Sequence, residues 1–142
     1  MIILDTNLIS DPLKDRPDAA VRDWLDAQDE TRLYLTVITV AELLAGVAQL
    51  PLGRRRSGLE SRIARLLGDF GERRVLSFDL SAARCYANLR ARARAGGFAI
   101  GALDAQIAAI AAARGFAVAT RDTTPFIAAG VAVINPFDGP RG

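Results

Sequence analysis

The sequence contains no histidine and only one cysteine, Cys85, and both facts narrow the chemistry that the chain can perform. Without histidine, the Ser-His-Asp and Cys-His arrangements, a histidine general base and a histidine-ligated zinc are excluded. One cysteine cannot form an intramolecular disulfide, and its place in a helical pattern favours a buried structural thiol. Any metal must be held by oxygen ligands, which favour a hard cation such as Mg²⁺ or Mn²⁺.

The sequence also lacks a long apolar run and a basic leader. No run approaches the roughly 20 residues that span a bilayer, and the start, Met1-Ile2-Ile3-Leu4-Asp5, does not resemble a signal peptide. We therefore expect a cytoplasmic protein with no membrane association. The length of 142 residues suits one compact domain over 1–142, and the 51% of hydrophobic residues suffice for a core.

The charge is small overall but unevenly distributed. The formal net charge is +2, yet residues 1–53 carry 4 basic and 9 acidic groups, whereas residues 54–94 carry 11 arginines against 4 acids. An arginine-rich middle beside an acidic first third suggests a partner that bears phosphates. Solvated helix faces explain the same distribution, so this alternative stays open.

Short apolar runs alternate with segments of helical periodicity. We predict strands at 2–5, 33–38, 75–78, 116–120 and 131–134. We predict helices after Pro17, within 59–70, from Asp79 or Ser81 to Gly96-Gly97, over 103–115 and over 124–129. This alternation predicts an α/β fold, a three-layer α/β/α sandwich with a central parallel sheet of about five short strands.

Four acids fall where such a sheet brings them to one edge. Asp5 ends the first strand, and Asp122 follows the fourth strand by two residues. Glu42 is expected in the first turn of the helix after the second strand, and Asp104 near the start of the helix after Gly101. Ligands of open parallel sheets bind beyond the carboxyl ends of the strands. Crowded carboxylates repel one another, and a divalent cation removes that repulsion and can activate a water for hydrolysis.

Three of the four acids also have a purely structural interpretation. Glu42 fits a capping box with Thr39, Asp104 complements a helix dipole, and Asp122 can cap the last helix or shape its entry turn. Asp5 differs, because a lone charge at the end of a buried strand is costly without a cation or donors. The other twelve acids are mostly flanked by polar or basic residues, and we expect them at the surface.

Four short motifs and a closing segment run in order along the chain. They are Ile3-Leu4-Asp5-Thr6-Asn7, Val40-Ala41-Glu42-Leu43-Leu44-Ala45-Gly46, Leu103-Asp104-Ala105-Gln106-Ile107-Ala108-Ala109, Ala119-Thr120-Arg121-Asp122 and Val133-Ile134-Asn135-Pro136-Phe137. Their order and spacing resemble those of PIN-domain nucleases, specifically VapC-type toxins of toxin–antitoxin pairs. Residues 48–98 add only compatible helices to the resemblance.

The resemblance implies a divalent-metal ribonuclease that uses Mg²⁺ or Mn²⁺. It implies catalytic and metal-binding roles for Asp5 and Asp104, with Glu42 and Asp122 as further members of the acidic pocket. Many relatives carry an acid just before the Phe of the fourth motif, where this chain has Pro125. The fourth acidic role therefore rests on Asp122 alone.

Further pocket residues follow from the same resemblance. It implies that Thr6, Asn7 and Thr120 organise the pocket, and turn and cap chemistry is an equal alternative for all three. Arg121, near the groove, is expected to position the substrate backbone. Single-stranded RNA, or loops in folded RNA, suits such a groove better than a stacked duplex. With six Phe, two Tyr and one Trp, the sequence shows no base-stacking platform and predicts no preferred RNA sequence.

The implied function is an endoribonuclease toxin that cleaves phosphodiester bonds by a metal-activated water. The implied partners are a cognate antitoxin that covers the groove and a second copy in a homodimer. Two alternatives stay open. One is a phosphatase with Asp5 as covalent nucleophile, although such enzymes usually carry a second Asp where this chain has Asn7, and Lys14 is the only lysine. The other is a catalytically inactive PIN-like scaffold that binds RNA or protein.

Overall fold

Five short parallel strands form the central sheet of the computed structural model, which describes residues 1–138. The strands are β1 (Ile2–Leu4), β2 (Leu33–Thr36), β3 (Val75–Leu76), β4 (Ala117–Ala119) and β5 (Val133–Ile134). Each lies within a predicted strand, and all pairs are parallel, as expected. The predicted domain of 1–142 extends into 139–142, which lie outside the described residues.

Within residues 1–138, seven α-helices and four 3₁₀ turns connect the strands. The helices are α1 (Thr6–Ser10), α2 (Ala19–Asp26), α3 (Val37–Ala48), α4 (Arg54–Phe70), α5 (Leu80–Gly96), α6 (Ala102–Arg114) and α7 (Thr124–Ala128). The 3₁₀ turns are Asp11–Leu13, Glu30–Arg32, Glu72–Arg74 and Pro136–Asp138. No helix in this part of the chain is both long enough and apolar enough to cross a bilayer.

The strand order places β1 at the centre of the sheet. The order is β3-β2-β1-β4-β5, so the chain adds strands first on one side of β1 and then on the other. At such a switch point the connections leave in opposite directions, and a crevice opens beyond the carboxyl ends of β1 and β4. The residues that directly follow these two strands therefore lie at the position where α/β proteins bind ligands.

Side chains of the strands alternate between two apolar layers, as the pleat of a strand requires. Ile3 and Val118 face the layer formed by α5, α6 and α7. Leu4 and Ala119 face the layer formed by α1 to α4. The predicted three-layer α/β/α sandwich is confirmed, with one core on each face of the sheet.

Helix α5 begins at the first of the two predicted starts. The side chain of Asp79 accepts a hydrogen bond from the backbone N–H of Ala82 at 2.9 Å, so Asp79 rather than Ser81 is the cap. The helix ends at Gly97, whose φ of 70° lies in the left-handed region that favours glycine. Cys85, on this helix, is only partly buried, so its burial is less complete than predicted.

Thr36 ends β2 and begins α3 two residues earlier than predicted. Its hydroxyl accepts a hydrogen bond from the backbone N–H of Thr39 at 3.2 Å, so residues 37–38 are helical rather than extended. The proposed capping box is therefore wrong, because Thr39 lies inside the helix. Glu42 lies in the second turn rather than the first, and its carboxylate has no capping role.

One acid expected at the surface is buried. Asp11 is 2% exposed, and its carboxylate accepts hydrogen bonds from Lys14 Nζ at 3.2 Å and from the backbone N–H of Asp18 at 2.8 Å. Asp18 in turn caps α2 by accepting from Ala20. Asp11 therefore fixes the loop between α1 and α2, and the surface prediction is wrong for this residue.

Candidate active site

Asp5 directly follows β1, and both of its carboxylate oxygens accept hydrogen bonds. The backbone N–H of Thr6 donates to Oδ1 at 2.8 Å, and the hydroxyl of Thr120 donates to Oδ2 at 2.8 Å. Asp5 is 5% exposed. Burial raises the pKa of Asp5 above its usual range, and this effect outweighs the two hydrogen bonds, while the charge of Asp122 adds to the rise.

The hydroxyl of Thr120 joins the end of β4 to the end of β1. Thr120 is fully buried, and besides donating to Asp5 it accepts from Asn7 Nδ2 at 3.3 Å. It also accepts from the backbone N–H of Asp122 at 3.1 Å. One hydroxyl thus uses its proton and both lone pairs. These three bonds connect Asp5, Asn7 and Asp122 through one side chain, which is consistent with the predicted role of Thr120 in organising the pocket.

Thr6 makes a second connection, from β1 to α3. Its hydroxyl donates to Glu42 Oε1 at 2.8 Å and lies 3.3 Å from the hydroxyl oxygen of Thr39. Because its backbone N–H also binds Asp5, Thr6 orients two of the four predicted acids. Glu42 is half-buried. Its carboxylate bonds to Thr6 and not to a helix N-terminus, as the predicted capping box required.

Asp104 lies in the first turn of α6, where it is half-buried. Its pKa is raised to about 6, first by burial and then by the negative charges of Asp5, Asp122 and Glu42. The three charges belong to β1, α3 and the loop after β4. The fold therefore brings all four predicted acids within electrostatic range of one another.

Asp122 is exposed and lies outside the helix that follows it. Helix α7 begins at Thr124, with Thr123 at the cap position and no side-chain cap bond. The alternative that Asp122 caps the last helix is therefore wrong. Its backbone N–H is fixed by Thr120, which leaves its carboxylate at the open side of the cluster.

Asn7 ties the same cluster to Arg121. The side-chain oxygen of Asn7 accepts a hydrogen bond from the backbone N–H of Arg121 at 3.2 Å, while its Nδ2 donates to Thr120. Both ends of the Asn7 amide are thus used between the loops after β1 and β4. A carboxylate in its place could not donate to Thr120.

Two residues near the end of the described chain support Arg121, and the sequence reasoning gave them no site role. The guanidinium of Arg121 lies 3.8 Å from the ring centroid of Phe137. Asn135 Nδ2 donates to the carbonyl of Arg121 at 3.5 Å, and Asn135 Oδ1 accepts from the backbone N–H of Phe137 at 3.0 Å. The available signal was an Asn at a strand end two residues before an aromatic, a typical Asx turn.

The four acids fit a hard divalent cation by the chemistry of their donors. All are carboxylates, and in residues 1–138 none forms an ion pair with a lysine or arginine. In the same part of the chain, no three Asp, Glu or Cys side chains converge closely enough to hold an ion as they stand. The four side chains therefore suit such an ion by the kind of donor, and as they stand within residues 1–138 they do not enclose a common ion.

A cleft of about 630 Å³ between α2 and α4 contains none of these four acids. Its lining mixes Leu25, Leu66 and Phe70 with Asp26 and Arg74. The lining also includes Glu30 and Asp69, so three acids lie there beside the cation of Arg74, whereas within residues 1–138 no lysine or arginine pairs with the four candidate acids. The carboxyl edge of β1 and β4 is therefore the stronger candidate for chemistry.

Comparison with known families and sequences gives similarities over nearly the whole chain. A family model described as "PIN domain" matches residues 2–131. The chain is 53% identical over 138 residues to a plasmid stability protein StbB of Pseudomonas syringae, covering 97% of this chain and 99% of the relative. It is 51% identical, with the same coverage, to the VapC ribonuclease Y4jK of Sinorhizobium fredii. It is 44% identical to the toxin FitB of Neisseria gonorrhoeae, covering 96% and 99%.

Solved structures give the same result for the fold. The crystal structure of FitAcB from Neisseria gonorrhoeae superposes with a TM-score of 0.92 at 44% identity, covering 96% of this chain and 99% of that chain. VapBC-5 of Mycobacterium tuberculosis, a member of the VapBC family of toxin–antitoxin systems, superposes with a TM-score of 0.69 at 29% identity, covering 94% and 96%. The similarity includes the segments that carry all four acids.

Proposed function

The chain belongs to the PIN-domain family, and from this premise we propose that it is the divalent-metal-dependent endoribonuclease of a toxin–antitoxin pair. Relatives named as a VapC ribonuclease and a toxin support the activity and the biological role. The observation that carries the metal-dependent part is the crowding of carboxylates around Asp104, whose pKa is raised to about 6 first by burial and then by the three neighbouring negative charges. A cluster of this kind, with no cation paired to it, is suited to a divalent ion.

Each acid has a distinct task in this proposal. Thr6 and Thr120 hold the side chains of Asp5 and Glu42 in fixed orientations. Binding of a metal ion would therefore require little further ordering of these two side chains. Mg²⁺ or Mn²⁺ held by the four carboxylates would supply a lower pKa for an attacking water and would stabilise charge on the leaving 3′ oxygen. One carboxylate accepts the proton of that water. The expected product end is a 5′-phosphate.

The residue two positions after Asp5 argues against the covalent alternative. Phosphatases of that type carry a second Asp there, and this chain has Asn7, an amide that cannot donate or accept a proton as a carboxyl group does. Asn7 is instead bonded at both ends of its amide, to Thr120 and to Arg121. The inactive-scaffold alternative is also disfavoured, because all four acids are present.

The substrate and partners follow from the same premise. We propose single-stranded RNA or RNA loops in the cytoplasm as the substrate, with Arg121 at the groove contacting the backbone. Phe137 and Asn135 hold Arg121 for this purpose. We further propose a small cognate antitoxin that covers the groove, and a homodimer. The antitoxin is supported by the likeness to VapBC-5, a member of the VapBC family of toxin–antitoxin systems. The homodimer is proposed from the family resemblance.

The direct test is an RNA cleavage assay with Mg²⁺, with Mn²⁺ and with EDTA. We expect cleavage only with a divalent ion, and a loss of at least about 100-fold for Asp104→Asn, because several kcal/mol of charge stabilisation depend on the bound ion. The matched control is Asp26→Asn, which removes one exposed carboxylate of α2 and should cleave at the parent rate. Equal cleavage in EDTA, or full activity of Asp104→Asn, would exclude the metal-dependent mechanism.

A further inference from the structure

A second cleft, of about 440 Å³, lies between the start of α4 and the loop after α1, and cations dominate its lining. The charged side chains that line it are Lys14, Asp15, Arg54, Arg55 and Arg62. None of these cations pairs with an acid of the candidate active site. The cleft is therefore a separate concentration of positive charge that the proposed chemistry does not use.

Two of the four cations are held in place by the fold. Lys14 Nζ lies 3.2 Å from the carboxylate of Asp11, which offsets its charge. Arg62 donates to the main-chain carbonyls of Pro12 and Leu13 at 2.9 Å and 3.2 Å. These bonds fix the guanidinium but leave its charge without a counter-ion, since carbonyl oxygens are neutral.

The other two cations have no partner. Within residues 1–138, neither Arg54 nor Arg55 forms an ion pair, and no side-chain hydrogen bond involves them. With Arg62, they place three guanidiniums against the single carboxylate of Asp15. Like charges at this spacing repel one another, so an anionic ligand would stabilise the cleft.

The cleft lies toward the same side of the sheet as the acids. Arg74, just past the end of α4, donates to the carbonyl of Leu33 at the start of β2, so α4 ends at the amino edge. Its 17 residues span about 25 Å, whereas a three-residue strand spans about 10 Å. Because α4 is longer than the strands, its first turn, which lines the cleft, is expected beyond the carboxyl edge. Along the chain, α1 and one 3₁₀ turn separate Asp5 from Lys14, a path on the order of 15 Å.

We propose that this cleft binds a backbone phosphate of the RNA substrate at a distance from the scissile bond, a proposal that rests on the ribonuclease function proposed above. Guanidiniums bind phosphates through paired N–H donors, and the fixed position of Arg62 lowers the entropic cost of ordering the site. Contacts to phosphate carry no base information. The cleft therefore contributes affinity and register, and no sequence preference.

The experiment measures binding of a fluorescein-labelled single-stranded RNA of mixed sequence, about 16 nucleotides long, in EDTA so that it stays intact. Arg54→Ala/Arg55→Ala should reduce the slope of log K against log[NaCl] by about 0.7, the contribution of one phosphate contact to a single strand. Since the curves converge near about 1 M salt, this slope difference corresponds to roughly fivefold weaker binding near 0.1 M.

A matched double variant controls for the loss of two positive charges. Arg73 lies in the 3₁₀ turn before β3, and Arg114 ends α6 just before Gly115 and β4, so both exposed arginines lie at the amino edge of the sheet. Arg73→Ala/Arg114→Ala should bind this RNA as the parent does. If both double variants bind the RNA equally more weakly than the parent, the loss of net charge explains the effect, and the proposal is overturned. Parent-like affinity and slope for Arg54→Ala/Arg55→Ala would overturn it as well.

The outcomes separate this proposal from the ribonuclease function. If the parent binds RNA with the predicted slope difference but does not cleave it with Mn²⁺, the proposed function fails and the cleft assignment stands. If the parent cleaves RNA and the Arg54→Ala/Arg55→Ala variant binds and cleaves equally well, the cleft assignment alone fails. Loss of antitoxin affinity in that variant, with RNA binding unchanged, would assign the cleft to an acidic protein segment and overturn the RNA assignment.

Discussion

Asp5 and Asp11 lie six residues apart and are both buried, with exposed fractions of 5% and 2%, yet their surroundings differ in charge. Asp11 receives a lysine ammonium and a backbone N–H, and it fixes a loop. Asp5 receives a hydroxyl and a backbone N–H but no cation, and burial raises its pKa. The charge of a buried carboxylate with a cationic partner is already neutralised within the folded chain. A buried carboxylate without such a partner is suited to binding an added cation.

The largest expected effects come from exchanging each of the two carboxylates for an amide. Asp5→Asn should lower cleavage by at least about 100-fold while the fold is kept. Asp11→Asn should leave cleavage intact but lower the free energy of unfolding by about 1–3 kcal/mol, because a charged hydrogen bond to Lys14 is lost. Cleavage rates and urea unfolding of both variants check this pair. The comparison fails if Asp5→Asn loses stability rather than activity.

A smaller loss is expected when the hydroxyl that orients Asp5 is removed. Thr120→Val keeps the shape but removes a donor to Asp5 and an acceptor for Asn7, so cleavage should fall by about 10–100-fold. Thr120→Ser should restore most of the rate, because the hydroxyl returns. Metal titration of both variants shows whether the loss lies in ion affinity. Full activity of Thr120→Val would contradict a positioning role.

The repulsion at Asp104 predicts a pH dependence of stability in EDTA. Its folded pKa of about 6 exceeds the ordinary value of 3.8, so between these values the folded state binds more protons than the unfolded state. Its contribution to the free energy of unfolding therefore falls as pH rises through this window and levels off above about pH 6. Urea unfolding of the parent and of Asp104→Asn across this range isolates the effect. Parallel pH profiles for the two would contradict the predicted repulsion.

The smallest effect is expected at the edge of the site. Phe137→Leu removes the ring beneath the guanidinium of Arg121, an interaction of about 0.5–1 kcal/mol at an exposed position. Substrate positioning should weaken, so KM should rise by roughly two- to fivefold with kcat nearly unchanged. Steady-state kinetics separate the two constants. A fall in kcat with KM unchanged would assign Phe137 a different role.

Most of the fold could be predicted from the sequence because its strands and long helices carry strong periodic signals. The five apolar runs were sufficient to locate the five strands, and Asp79 and Gly97 marked the ends of α5. Helix α1 was missed because its five residues are too few to show a helical period. The first residues of α3 were assigned to a strand because Val37 and Ile38 are β-branched, and the cap at Thr36 overrides that preference.

The candidate site was only partly predictable, because local patterns do not show which groups meet. Thr39 and Glu42 have capping-box spacing, but the partner of Glu42 is Thr6, 36 residues away. The burial of Asp11 depends on how the loop folds back to the backbone of Asp18, which sequence neighbours do not reveal. Asn135 and Phe137 support Arg121 only because β5 lies beside β4.

Calorimetric titration with Mn²⁺ tests most directly whether the unpaired carboxylates form a cation site. We expect the parent and Asp11→Asn to bind Mn²⁺ with the same affinity and Asp5→Asn to bind it at least about tenfold more weakly, since Asp5→Asn lacks a carboxylate that lies among the proposed ligands. Equal binding by all three proteins, or no binding by the parent, would contradict a cation site at these carboxylates.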